Sequence, residues 1–114
     1  MTRIYIVEDE MPLAMLVEDM VIDLGHEVVG MSQRLDEALI AADTIECDLA
    51  ILDINLNGEL SFPVARKLVS RRITIIFASG CGAAALESDF LKATLINKPF
   101  SMAQLGDAIE RNIA

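Results

Sequence analysis

The chain contains no tryptophan, a single tyrosine and a single histidine, and only two cysteines in 114 residues. Cys47 and Cys81 are isolated, with no Cys-x-x-Cys spacing. That argues against a disulfide framework and against a thiolate zinc site, and leaves reduced thiols as the expectation. No apolar run approaches the roughly 18 residues of a membrane span. Met1-Thr2-Arg3 leads straight into a strand-like segment without the layout of a signal peptide, so a cytoplasmic location is expected. Positive charge is scarce: 9 Lys and Arg against 18 Asp and Glu give a net charge of −9. Such a surface repels nucleic acid phosphates, so the expected partners are proteins or cations. There is no internal repeat, low-complexity tract or linker.

What the chain does have is apolar residues, 54% of the total. A sheet covered on both faces accounts for that fraction, and the length suits one domain over residues 1–114. Short apolar runs alternate with amphipathic stretches. Arg3–Val7 reads as a strand. Leu13, Leu16, Val17, Met20, Val21 and Leu24 follow at helical spacing, with Pro12 in the first turn and Gly25 past the end. Glu27–Met31 is a second strand, followed by a helix through Leu35, Leu39 and Ile40. Leu49–Leu52 is a third strand ending at Asp53, and a helix opens near Ser61-Phe62-Pro63. Ile73–Phe77 and Leu95–Asn97 complete five strands. Ser101 with Gln104 forms a capping box that starts a last helix through Leu105, Ala108 and Ile109.

Strands alternating with helices predict a parallel sheet with helices on both faces. At this size the expected fold is flavodoxin-like, a doubly wound (βα)5 sheet in strand order 2-1-3-4-5. Ligands of such folds sit at the carboxyl ends of the strands. Strand one ends in Glu8-Asp9-Glu10, strand three in Asp53, strand four in Ser79-Gly80 and strand five in Lys98-Pro99. Strands one and three are neighbours in this order, so Glu8, Asp9 and Asp53 should converge. Two unit charges 4 Å apart repel by about 4 kcal/mol at an effective dielectric of 20. A hard divalent cation, Mg²⁺ or Mn²⁺, relieves that repulsion. Lys98 adds a point charge, Ser79 a hydroxyl, and Gly80 permits close backbone approach. A nucleophilic carboxylate, a metal, a lysine and a hydroxyl are the parts that phosphoryl transfer needs. Each residue alone has a plainer reading: the acids after strand one suit a helix N-terminus. Their joint placement at four strand ends is what carries the argument. His26, Met11, Met15 and Met20 read as surface or core residues, and Arg71-Arg72 as a solvated helix end.

Val7-Glu8-Asp9-Glu10, Leu52-Asp53-Ile54-Asn55, Ala78-Ser79-Gly80 and Asn97-Lys98-Pro99-Phe100 together resemble the receiver domains of bacterial response regulators. The resemblance spans the whole chain. It implies that Asp53 is the phosphoacceptor, that Asp9 binds Mg²⁺ directly and Glu8 through water, and that the Asn55 carbonyl is a further ligand. It makes Ser79 the switch hydroxyl and pairs Lys98 with the phosphoryl group, whose oxygens would meet the amides of Asn55 and Gly80. It also implies a cis peptide before Pro99. Phe77-Ala78-Ser79-Gly80, with Asn55-Leu56-Asn57-Gly58-Glu59 and Phe62-Pro63, is most similar to a single-domain subgroup carrying Phe-Ala-Thr-Gly-Tyr. Two departures stand out: Leu95 occupies a position that is often aromatic, and Ser79 and Cys81 replace Thr and Tyr.

Other functions fit less well. A haloacid-dehalogenase-like phosphatase needs an acid where Asn55 stands, and a flavin carrier needs a hydroxyl-rich loop where Glu8-Asp9-Glu10 stands. A phosphate-independent interaction module has less reason to hold Asp53, Ser79 and Lys98 together. The resemblance implies a phosphoacceptor switch, not an enzyme acting on other molecules. It would take its phosphoryl group from a histidine kinase or histidine phosphotransfer protein, and signal through a downstream protein partner or drain phosphoryl groups. A monomer or weak dimer is expected. The stretch from Gly80 to Ala93 should be the least regular part of the fold: Gly80 and Gly82 disfavour an early helix start, and Leu86, Phe90 and Leu91 are its few apolar anchors.

Overall fold

The computed structural model describes residues 2–80 and 82–113; the thiol expected at Cys81 lies outside the described residues. Strand β1 (Arg3–Val7) is followed by helix α1 (Met11–Asp23), strand β2 (Glu27–Ser32) and helix α2 (Leu35–Ala41). Strand β3 (Leu49–Asp53) leads into a small hairpin, β4 (Asn55–Leu56) and β5 (Glu59–Leu60), and then helix α3 (Phe62–Ser70). Strand β6 (Thr74–Ser79), two 3-10 turns (Gly82–Ala85 and Ser88–Phe90), strand β7 (Thr94–Asn97) and helix α4 (Met102–Ile113) complete the chain.

The main sheet is five-stranded and parallel, in the order β2-β1-β3-β6-β7. Counting only its own strands, this is the expected 2-1-3-4-5 order of a flavodoxin-like fold. Alternation along each strand sends side chains to two cores. Tyr5, Ala50, Leu52, Ile75 and Phe77 face α2, α3 and the 3-10 segment. Ile4, Ile6, Leu49, Ile51 and Ile76 face α1 and α4. Strand β3 is buried along its whole length, as a central strand of a doubly covered sheet must be.

The local signals act where the sequence places them. Pro12 and Pro63 sit in the first turns of α1 and α3, and Gly25 follows α1 with φ +88°. The capping box of α4 is formed: Ser101 N–H donates to Gln104 Oε1 at 2.8 Å and Gln104 N–H to Ser101 Oγ at 3.1 Å. Cys47 is a buried free cysteine whose thiol burial pushes up to about 11. His26 accepts a hydrogen bond from Thr2 N–H through Nδ1, and Arg72 ends α3 in the left-handed region.

The irregular crossover is the one between β6 and β7, where Gly80 to Ala93 was expected to be least regular. Between β6 and β7 the chain forms no α-helix among its described residues but the two 3-10 turns instead. The reason is local: glycine at both ends of the β6 exit and too short a run of helix formers. The hairpin is an addition: Asn57 (φ 53°) and Gly58 (φ 89°) form the two-residue turn that an Asn-Gly pair favours. A second feature hidden from the sequence is the buried Tyr5 hydroxyl, which donates to Ser32 Oγ at 2.6 Å and links β1 to β2.

Ser61 precedes α3 and is fully buried, yet its hydroxyl has no hydrogen-bond partner among the described residues and does not cap the helix. An unpaired buried hydroxyl costs roughly 1–3 kcal/mol of desolvation. Ser61→Ala is expected to raise stability by about 1 kcal/mol in urea denaturation, with no change in the slope of the transition. A loss of stability, as when an ordinary capping serine is removed, would show that the hydroxyl is paired in solution.

Candidate functional site

The carboxyl ends of β1, β3, β6 and β7 lie side by side, and each contributes one group. Glu8 leaves β1 with its N–H donated to Ser32 O at 3.0 Å and only 4% of its surface exposed. Asp53 closes β3 and is likewise buried. Lys98 follows β7; its own N–H donates to Ser79 O at 2.9 Å, which fixes the backbone beside β6. The Lys98–Pro99 bond is cis, as expected.

The Lys98 ammonium donates to Glu8 Oε1 at 2.6 Å and to Asp53 Oδ2 at 2.9 Å. It thus bridges two carboxylates that stand 45 residues apart in the chain. Oxygen atoms of Glu8, Asp9 and Asp53 lie within 4.8 Å of one another. Three carboxylates and one ammonium leave two negative charges, the complement of a divalent cation, and an all-oxygen donor set suits a hard one. The residues present therefore fit such an ion.

The remaining predicted site residues surround this cluster. Asn55 N–H points at Asp53 Oδ1 at 3.4 Å, and Asn55 Oδ1 accepts from Gly58 N–H at 2.6 Å. Asp9 Oδ2 accepts from Asn57 N–H at 3.1 Å, so the hairpin rests on a metal-ligand candidate. That contact was not legible in the sequence, although Asn57-Gly58 is itself a strong turn signal. Ser79 is buried at the end of β6. A cleft of about 390 Å³ opens beside Asp53, bordered by Ile54, Asn55, Leu60, Ser79, Gly80 and Ala85. Gly80 borders this cleft too. Nothing lies within 4 Å of where its Cβ would be, because the chain here borders the open cleft.

Burial shapes the titration of the cluster. It pushes the Glu8 carboxyl up to about 7, against the opposing pull of Lys98, and it raises Asp53 for the same reason. Asp9 loses less water; burial is outweighed there by hydrogen bonds with Glu8, Asp53 and the Asn57 amide, which hold its carboxyl low. Lys98 is raised despite its burial, because Glu8 and Asp53 both favour its charge.

No family model matches the chain. Among curated proteins it is 30% identical over 112 residues to the transcriptional regulatory protein PdtaR of Mycobacterium tuberculosis, covering 95% of this chain and 55% of the relative. It is 32% identical over 114 residues to the phyllosphere-induced regulator PhyR of Methylorubrum extorquens, covering 96% and 43%. The chain thus spans about half the length of the curated relatives it matches. The solution structure of SdrG from Sphingomonas melonis Fr1 superposes with a TM-score of 0.86 at 36% identity, over 100% of this chain and 98% of that one. A BeF3-activated conformation of SdrG superposes at 0.83 with 34% identity, covering 98% and 96%. The receiver domain of the Pseudomonas aeruginosa sensor kinase PA1611, which holds magnesium in its active-site cleft, gives 0.78 at 26% identity over 98% and 97%. The fold and these likenesses define the class: the chain belongs to the receiver domains of response regulators.

A carboxyl held above its unfolded value keeps the native state protonated where the unfolded chain is already ionised. Its stabilisation is complete below the ordinary carboxylate range and is lost as pH rises to the folded value. For Glu8 that window runs from pH 4.5 to about 7. In chelator, the melting temperature is expected to fall between pH 5.5 and 7.5, and Glu8→Gln should flatten that slope. A parent protein whose melting temperature is flat or rising across this range would contradict the assignment.

Proposed function

We propose that residues 1–114 form a receiver domain that accepts one phosphoryl group on Asp53 from a phosphohistidine donor, with Mg²⁺ as the metal. The observation that carries this reading is the Lys98 ammonium held between Glu8 and Asp53, beside a third carboxylate and an open cleft. Asp53 Oδ1, lightly held by the Asn55 amide, is the attacking oxygen. Its lone pair forms the new O–P bond while the bond from phosphorus to the donor imidazole nitrogen breaks and that nitrogen keeps the electron pair. Asp9 and Asp53 with the Asn55 carbonyl, and Glu8 through water, would hold Mg²⁺, which would supply charge neutralisation for the transferring group. Lys98 orients the phosphoryl group, the Ser79 hydroxyl and the amides of Asn55 and Gly80 meet its oxygens, and the Asn57 amide steadies Asp9. The product is a switch state rather than a released product, so the chain modifies only itself.

The donor is a sensor kinase or a histidine phosphotransfer protein, acting in the cytoplasm. Beside Lys98 an apolar groove of about 230 Å³ lies between Leu13, Leu16, Val17 and Met20 of α1 and Pro99-Phe100, and Leu16 is half exposed in it. Exposed apolar surface beside the lysine that holds Asp53 supports a protein partner as phosphoryl source. No described helix is long and apolar enough to cross a membrane, and the net charge of −9 disfavours direct nucleic acid contact. Output runs through contact with another protein.

Incubation with acetyl phosphate and Mg²⁺ is expected to add one phosphoryl group, read by intact mass, and chelator or Asp53→Asn should abolish the gain. Full labelling of that variant would move the acceptor elsewhere. Mg²⁺ alone should raise the melting temperature, since binding to the native state stabilises by roughly 2.7 kcal/mol at a hundredfold excess over Kd. Asp9→Ala should lose more of that rise than Glu8→Ala. Equal retention in both variants would remove Asp9 as the direct ligand.

A further inference from the structure

Arg66 stands on the outer side of α3 and reaches across to the crossover segment, residues 82–93. Its guanidinium donates to the carboxylate of Glu87 and, from Nε at 3.1 Å, to Asp89. Its central carbon lies 5.6 Å from the centroid of the Phe90 ring. Phe90 is buried against two other rings. It stacks on Phe62 of α3 at 5.5 Å and meets Phe77 of β6 edge-on at 5.3 Å; Phe62 and Phe77 are 5.6 Å apart. Phe77 precedes Ser79 by two residues, on the same face of the strand. One cation therefore holds both carboxylates of the segment's second turn and caps a ring packed on the strand that ends in Ser79.

The segment also packs Ala85, Leu86 and Ala93 against the core on this face. Its turns are short 3-10 pieces, and Leu91 is 64% exposed. Ala85 near its start, and Gly80 just before it, border the cleft at Asp53, while Arg66 holds its later part against α3. Drawing Ser79 and Gly80 toward a group on Asp53 would pull the segment inward, away from Arg66. The Phe62–Phe77–Phe90 cluster is a packed connection between β6 and the segment.

We propose that Arg66 is a latch that holds residues 82–93 on α3 in the unphosphorylated protein and must let go when the segment closes on the phosphoacceptor cleft. The latch rests on the reading of Asp53 as phosphoacceptor. Exposed ion pairs are individually weak, but two pairs sharing one guanidinium, with a ring beneath it, are expected to alter opening of the segment by about tenfold. Since the latch favours the resting arrangement, its loss should tighten binding of any ligand that selects the closed one.

The test uses amide hydrogen exchange and beryllofluoride titration with Mg²⁺ on the parent, on Arg66→Gln and on the double variant Glu87→Gln with Asp89→Asn. Exchange of residues 82–93 in free protein should rise about tenfold in both variants, with β1 and α1 unchanged, and beryllofluoride should bind severalfold tighter. Raising KCl should accelerate exchange of the segment in the parent and leave both variants unaffected. Arg66→Glu combined with Glu87→Arg and Asp89→Arg should restore the parent's protection. Unchanged exchange in Arg66→Gln, a uniform rise throughout the chain, or weaker beryllofluoride binding would each overturn the latch. A parent protein that ignores beryllofluoride would instead overturn the phosphoacceptor reading beneath it.

Discussion

The ion bridge from Lys98 to Glu8 and Asp53 is the interaction on which the rest of the site depends. Two carboxylates buried at adjacent strand ends repel, and each has lost most of its water. A single ammonium at hydrogen-bonding distance from both is what lets them ionise together. The sheet exists in the form that makes this possible. Lys98 is fastened to β6 through Ser79 O, and Glu8 is fastened to β2 through Ser32 O. The bridge therefore spans nearly the full width of the sheet, and its geometry is set by strand order and register rather than by the side chains themselves.

The bridge leaves a deficit, and the deficit is functional. One ammonium against three carboxylates leaves the cluster negative, with Glu8 pushed up to about 7 and Asp53 raised as well. Burial raises both carboxyls and the Lys98 ammonium opposes that rise, so the balance of the cluster is sensitive to any further positive charge placed beside it. Asp9, by contrast, is held low, and its carboxylate accepts from the hairpin amide of Asn57. Structural stability and chemical readiness pull in opposite directions here, as is common where titration is strongly perturbed.

Regularity is distributed unevenly over the two faces of the sheet. The face carrying α1 and α4 has two long helices packed on Ile4, Ile6, Leu49 and Ile51. The other face has α2 and α3 but covers β6 near Ser79 with two 3-10 turns and the ring of Phe90. Order is cheapest to undo where the covering elements are shortest. The glycines and the short alanine run determine that no α-helix forms there. The aromatic contacts tie the segment to β6 through Phe77 and to α3 through Phe62.

Much of this was legible in the sequence, because period-2 and period-3.6 burial patterns are local. The five strands, the proline-led starts of α1 and α3, the capping box at Ser101 and Gln104, and the irregular crossover all follow from residues a few positions apart. So does the placement of Glu8, Asp9, Asp53, Ser79 and Lys98 at strand ends. The tertiary structure alone decided that Lys98 serves Glu8 as well as Asp53, that Asn57 holds Asp9, that Tyr5 bonds Ser32, that Gly80 faces open space and that Arg66 reaches Glu87 and Asp89. Those partners are separated by up to 90 residues. Their distances depend on strand register and helix packing, which arise from the whole core at once, so no local pattern in the chain encodes them.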